Sequence, residues 1–418
     1  MSSKGIITFF SGTTTKKECR DAKKHKNDKT DYRSLYHEKL KEVLGVKHVY
    51  SFSAGRAGLY VILKALGLGE GDEVIVEGYT CVAVSKGVLY TGAMPIYADI
   101  DTEDFNVTYE SVCERLTDKT KAIVVQHTYG IPCKDIFRIK DFCKEKGIVL
   151  IEDCAHVLGQ TYEGHMLGTI GDVSFSSTDR TKYISTSIGG FVATNDENIG
   201  CRLEEMYKDI PELNGKEINS VVYQLNRTNV LNDRRVYAWI KNRTILGRGI
   251  DIYYRLEKRF KKEFYLDDYV NFELPEYTFP AKLPNVMAYV GLSQLSFLEE
   301  NALHRKKIMD IYKDRLGEKL NVTSHVDAPL RLPLLVEDVD GFIEALSDIV
   351  CVNTWFSNTI MCISPKLNRA AYYENGCCPN AEFVTKHVVN LPTHLKVTEE
   401  DANRICDRIL SVENLHAV

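Results

Sequence analysis

Between residues 73 and 193 short, continuously apolar runs alternate with stretches of helical periodicity, and this alternation leaves the chain very few folds. The runs are Glu73–Glu77, Met94–Ala98, Lys121–Val125, Gly147–Ile151, Asp172–Phe175 and Gly190–Ala193, and between them lie Val82–Tyr90, Tyr109–Leu116 and Asp135–Lys146. A strand that is apolar at every position, not at every second one, is buried on both faces. Such strands separated by helices build a parallel sheet covered on each side. The expected fold class is α/β, a mostly parallel sheet sandwiched by helices. In such sheets ligands bind beyond the carboxyl ends of the strands, which directs attention to those ends.

The flanking regions read differently. Residues 1–30 are polar, lysine-rich and aperiodic, and are expected to lie loosely on the surface. Regular patterning begins with a helical stretch from Asp31 to Leu44, a short strand over Val46–Tyr50 and a small-residue turn, Ser53-Ala54-Gly55. A helix from Arg56 to Leu66 follows, with Leu59, Ile62, Leu63 and Leu66 on one face, so a large domain is expected over residues 31–205. Residues 206–275 break the rhythm as a basic, mostly helical insertion. Between Arg234 and Lys262 ten Lys or Arg are opposed only by Asp251 and Glu257, with apolar and aromatic residues at helical spacing. Three readings compete for it: helices packed on the large domain or a partner subunit, peripheral contact of 234–262 with an anionic membrane, or a basic rim for a substrate's phosphates. Residues 276–418 read as a long helix after Pro284 and a smaller C-terminal α+β domain with strands at Arg331–Leu335 and Val388–Leu391.

Composition narrows the function classes. With 44% hydrophobic and 27% charged residues in 418, the chain can bury a sizeable core. A net charge of −5 gives no general attraction to nucleic acid. The 12 cysteines show no C-x-x-C spacing, so no metal site is expected, and the chain reads as a reduced, cytoplasmic protein.

Three features fall at strand ends. Gly55, Arg56 and Ala57 open a helix, which is either an ordinary capped turn or an anion site built from backbone N–H groups. Asp153 follows a buried run and is either an N-cap or an active-site carboxylate. Lys182 stands in a polar loop between two apolar strands, where most lysines are solvated surface charges. Taken together and in this order, a phosphate cradle, a carboxylate and a loop lysine are what pyridoxal 5′-phosphate requires: a lysine for the Schiff base, a partner for the pyridine nitrogen and amides for the phosphate.

The motifs Gly69-Glu-Gly-Asp-Glu-Val74, His127-Thr-Tyr-Gly130, Ile151-Glu-Asp-Cys-Ala-His156, Ala288-Tyr-Val-Gly-Leu-Ser-Gln-Leu295 and Asn390-Leu-Pro-Thr-His394 follow one another at a recognisable spacing. Through them the chain resembles the DegT/StrS-type sugar aminotransferases of fold-type I, over roughly residues 45–200 and 280–410. The resemblance implies that Lys182 carries the Schiff base, Asp153 pairs with the pyridinium, and His156 lies near the ring oxygen. It also implies that Ser177 binds phosphate by its hydroxyl and Arg56 and Ala57 by their amides. Cys81 stands where the family has a ring that stacks on the cofactor, and Pro280 and Lys282 stand where it has Asn and Arg. The implied activity is transamination from glutamate to a keto-sugar, usually nucleotide-linked, in a homodimer with shared active sites. A non-sugar ketone acceptor and a non-catalytic regulatory role are the alternatives.

Overall fold

The computed structural model describes residues 5–8, 13–260, 272–320, 327–352, 354–412 and 416–418. The six expected runs and the short segment before them pair into one sheet: β1 (His48–Phe52), β2 (Glu73–Glu77), β3 (Met94–Ala98), β4 (Thr120–Gln126), β5 (Val149–Asp153), β6 (Val173–Ser177) and β7 (Gly190–Thr194). Their spatial order is β1-β7-β6-β5-β4-β2-β3. Strands β3, β2, β4, β5 and β6 are parallel, whereas β7 runs antiparallel to both β6 and β1. Alternate residues feed two cores. Val74, Val76, Val124 and Ile151 meet Leu59 and Ile62 of the helix Gly55–Ala65 on one face. Ile75, Ile123, Val125 and Leu150 meet Ile136 and Ile139 on the other. This two-sided covering is what removes the polar alternation from the strands.

Two consequences position the site. Register pairs Gln126 with Asp153 and Asp153 with Phe175, so the carboxyl ends of β4, β5 and β6 lie in one row. Because β7 returns antiparallel, the chain needs no crossover helix after β6. The loop over residues 178–189, with Lys182, is therefore held at that same edge.

The smaller domain is built on the antiparallel pair Arg331–Leu335 and Val388–Pro392, packed with the helices Leu298–Leu320, Val339–Leu346 and Glu399–Ser411. Where a single long helix after Pro284 was expected, there are two, Asn285–Leu295 and Leu298–Leu320. At the break Ser296 Oγ donates to Ser293 O at 2.7 Å, a local bond that competes with helix continuation.

The N-terminal segment corrects the expectation of a loose surface stretch. Lys16–His25 is a helix with a Thr15/Glu18 capping box, and Glu18, Cys19 and Ala22 are buried. Glu18 accepts from Gln294 Nε2 at 2.7 Å, which fixes the helix to Asn285–Leu295. Upstream, Ile7 is buried and pairs with Val350 of the smaller domain. The buried stripe is too narrow to show through ten mostly charged residues. The helix Glu197–Asp209, with Leu203 buried, runs through the boundary expected at 205. The insertion then forms the helices Gly215–Leu231, Arg234–Lys241 and Ile245–Phe260. Residues 261–271, including Lys261 and Lys262 of the basic run, lie outside the described residues.

Candidate active site

At the carboxyl edge of the sheet lies a cavity of ≈ 330 Å³, lined by Gly55, Arg56, Cys81, Asp153, His156, Ser177 and Lys182 among others. Seven of the eight residues singled out from sequence thus meet in one space. The eighth, Ala57, is buried one position deeper, and its amide donates to Ala54 O at 3.1 Å, so the turn offers the cavity Gly55 and Arg56 instead.

The turn is shaped for close approach. Its N-cap, Ala54, supplies no side-chain cap, so the positive end of the helix faces the cavity without a side-chain acceptor. A Cβ on Gly55 would stand 3.1 Å from Ser176 O and from Ser177 Cβ. A Cβ on Gly190 would stand 2.2 Å from Ser176 O and 2.6 Å from Gly55 Cα, so only glycine lets β7 pass this turn. The Arg56 guanidinium turns to Tyr277, donating from Nη2 to its hydroxyl at 2.5 Å.

Asp153 is buried at the end of β5, and its Oδ1 accepts from Ala155 N at 2.9 Å. Burial pushes its carboxyl up to about 6, against the pull of Ala155 N–H and of the Lys182 and His127 charges. Burial likewise pushes Lys182 below the ordinary lysine range, with Cys81, Asp153 and Asp179 drawing it partly back. Lys182 Nζ lies 5.2 Å from the centre of the Trp355 ring. His156 Nδ1 accepts from Tyr129 N at 3.1 Å, which places the ring proton on Nε2. Burial, with Lys182 and Arg331 nearby, keeps that ring neutral. Ser177 closes β6, its Oγ accepting from Asp179 N at 3.4 Å.

The thiol of Cys81 is drawn down to about 7 by the neighbouring Cys362 S–H, against burial. Cys81 belongs to a short parallel pairing in which Thr80 meets Ile360 and Cys81 meets Met361, and Cys362 is the residue after that strand. Lys282 is elsewhere, its Nζ donating to Lys208 O at 3.3 Å and lying over the Tyr207 ring.

Several lining residues had no sequence signal. Trp355, Phe356 and Cys362 come from irregular backbone of the smaller domain, Met361 from the two-residue strand Ile360–Met361, and Gln224 from the inserted helix Gly215–Leu231. Trp355 and Phe356 bring rings to a cavity that has none at position 81, the Trp355 ring centre being 4.9 Å from that of His156. Ser53 Oγ and Gln224 Oε1 also line the cavity and find no hydrogen-bond partner among the described residues, which marks the space as built for a polar occupant.

Comparison with known proteins agrees with this geometry. The GDP-perosamine synthase of Escherichia coli O157:H7 is 29% identical over 71% of this chain and 66% of its own length. Among solved structures, DesI in the presence of its TDP-sugar product superposes with a TM-score of 0.71 at 20% identity, over 98% of this chain and 93% of that one. The sugar aminotransferase Spr1654 from Streptococcus pneumoniae, described as putative and solved in its PLP-form, gives 0.70 at 20% over 96% of each. These two likenesses establish a shared fold, that of the fold-type I aminotransferases. The sequence matches the DegT/DnrJ/EryC1/StrS aminotransferase family over residues 12–209 and 254–410. With both stretches accounted for, the chain belongs to that family.

Proposed function

We propose that this chain is a pyridoxal 5′-phosphate-dependent aminotransferase that moves an amino group from glutamate to a nucleotide-linked keto-sugar, for amino-sugar and polysaccharide biosynthesis. The observation that carries the proposal is the convergence of Lys182 Nζ, the Asp153 carboxylate and the Gly55 helix terminus on one cavity. Among the described residues no helix is long and apolar enough to cross a membrane, and the reading includes a cytoplasmic homodimer.

The residues fit the cofactor on their own chemistry. Asp153 is a buried carboxylate with one backbone donor, and the proton of a pyridine nitrogen would supply the charge that burial denies it. The uncapped helix end and the Ser177 hydroxyl suit a phosphate. His156 presents an Nε2–H donor that stays neutral near pH 7. When bound, pyridoxal phosphate supplies the electron sink for reactions at the donor's α-carbon.

The protein's own part is proton handling and enclosure. Lys182, its pKa lowered by burial, holds a larger fraction of free amine than a surface lysine and can act as base and then acid at Nζ. Asp153 would hold the proton of the cofactor's ring nitrogen. Trp355 and Phe356 cover the cavity from the smaller domain and exclude water. The substrate class rests on the relatives' names, a GDP-perosamine synthase and a structure with a TDP-sugar product.

Two measurements test the reading. Adding glutamate to the loaded enzyme without an acceptor should release one equivalent of 2-oxoglutarate per site, and none from Lys182→Ala. A panel of GDP- and TDP-linked keto-sugars, followed by mass spectrometry, should then reveal an aminated product. A fully active Lys182→Ala protein would remove the assignment, and amination of non-sugar ketones alone would replace the acceptor.

A further inference from the structure

The match to the family stops at residue 209 and resumes at 254. The interval contains the helix Arg234–Lys241 and the start of Ile245–Phe260. These helices cross tightly: Gly247 is buried, and a Cβ there would stand 1.9 Å from Trp239 O. One side of the first helix is anchored. Arg234 forms a two-pronged ion pair with Asp401 at 2.7 and 3.0 Å, and Lys241 Nζ donates to Ser347 O. The hairpin is thus fixed to the smaller domain.

Its outer face is apolar. Ile245 at the tip is 93% exposed, and Leu246, Ile252, Tyr253, Trp239 and Val230 are exposed as well. Val230, Ile245, Leu246, Ile250 and Tyr253 line a single shallow groove, so the apolar side chains are contiguous. Arg235, Arg243 and Arg248 are exposed beside them. An exposed apolar patch of this kind needs an occupant.

Charge selects the occupant. Residues 234–253 carry five basic residues and one acidic one, a net +4 within a chain of −5, so the remainder sums to −9. With Arg234 paired to Asp401 and Lys241 held at Ser347 O, the exposed cations left to this face are Arg235, Arg243 and Arg248. A two-fold contact with a second copy would place this basic face against itself. An anionic bilayer would attract this face alone and repel the rest, which fixes an orientation. A Trp and a Tyr beside arginines and a fully exposed aliphatic tip suit the bilayer interface. We propose that the 234–253 hairpin docks the enzyme on an anionic phospholipid surface.

The test uses the full-length, cofactor-loaded protein and sedimentation with vesicles of phosphatidylcholine, with or without phosphatidylglycerol. The protein should pellet with the anionic vesicles at low salt and be released as salt rises. Arg243→Glu/Arg248→Glu should weaken binding by at least about thirty-fold, since each removed cation is worth about 1 kcal/mol near such a surface. Ile245→Glu/Leu246→Glu should remain in the supernatant. Unchanged cofactor absorbance in both variants shows that they fold. Equal pelleting of the variants and the parent, or no pelleting of the parent, overturns the proposal. So does conversion of a dimer to monomer by Ile245→Glu/Leu246→Glu in sedimentation velocity, which would make the face a contact between copies.

Discussion

Replacing Asp153 by Asn should stabilise the cofactor-free protein, by an amount that grows with pH. The carboxyl is carried by burial from its ordinary 3.8 to about 6. For an acid raised in the folded state, burial costs nothing at pH values below 3.8, where both states hold the proton. The cost is complete above the folded value, where the native carboxylate is ionised away from water. The interval between the two is worth about 3 kcal/mol at pH 8. At pH 5 the unfolded chain is already ionised while the native carboxyl is mostly protonated, and about half of that cost applies. Asn keeps an acceptor for Ala155 N–H and carries no charge. Urea unfolding at the two pH values, followed by fluorescence, should show the variant's advantage growing by about 1.5 kcal/mol from pH 5 to pH 8. The same variant should retain pyridoxal phosphate poorly on gel filtration. An advantage that is flat with pH, or a variant less stable at pH 8 than at pH 5 relative to the parent, would refute the claim that Asp153 is strained by burial.

Lys182→Ala should lose covalent retention of the cofactor after borohydride reduction, measured by mass spectrometry, and its transamination rate should fall by at least roughly 10²–10⁴-fold. Gly190→Ala forces a Cβ into the backbone of Ser176 and Gly55, and denaturant unfolding should register a loss of about 1–3 kcal/mol. The same substitution should weaken cofactor binding in a spectroscopic titration, because the turn it displaces faces the cavity. Cys81, drawn down towards neutral pH by Cys362, should be alkylated by iodoacetamide near pH 7 faster than Cys133, Cys143 and Cys154, whose thiols burial pushes up, in peptide mapping. Bound pyridoxal phosphate should protect it, and Cys362→Ser should slow the reaction.

What was legible in the sequence and what was not follow from how each residue is held. The strands showed because a doubly covered sheet needs apolar residues at consecutive positions, as in Ile123–Val125 and Leu150–Ile151. Asp153, Ser177 and Lys182 could be found because they stand at or just beyond the ends of such strands. Trp355 and Cys362 could not. They reach the cavity through an irregular stretch whose position depends on the docking of the smaller domain, which leaves no periodic trace. Gln224 was hidden because one cavity-facing residue does not alter the pattern of a 17-residue helix. The helix Lys16–His25 was masked by its lysines, since three buried positions suffice to attach it.

The pairing of Ile7 with Val350 has a consequence for synthesis. At elongation rates of about 5–20 residues per second, the partner of Ile7 leaves the ribosome roughly 20–70 s after Ile7 itself. During that time Ile7, buried in the finished protein, lacks its strand partner, although the strands β1–β7 and the Gly55 helix are already complete. The large domain can therefore assemble on the nascent chain, whereas the Ile7 clasp closes among the last contacts. A chain that terminates before residue 349 would leave that clasp open and expose an apolar segment to chaperones and proteases.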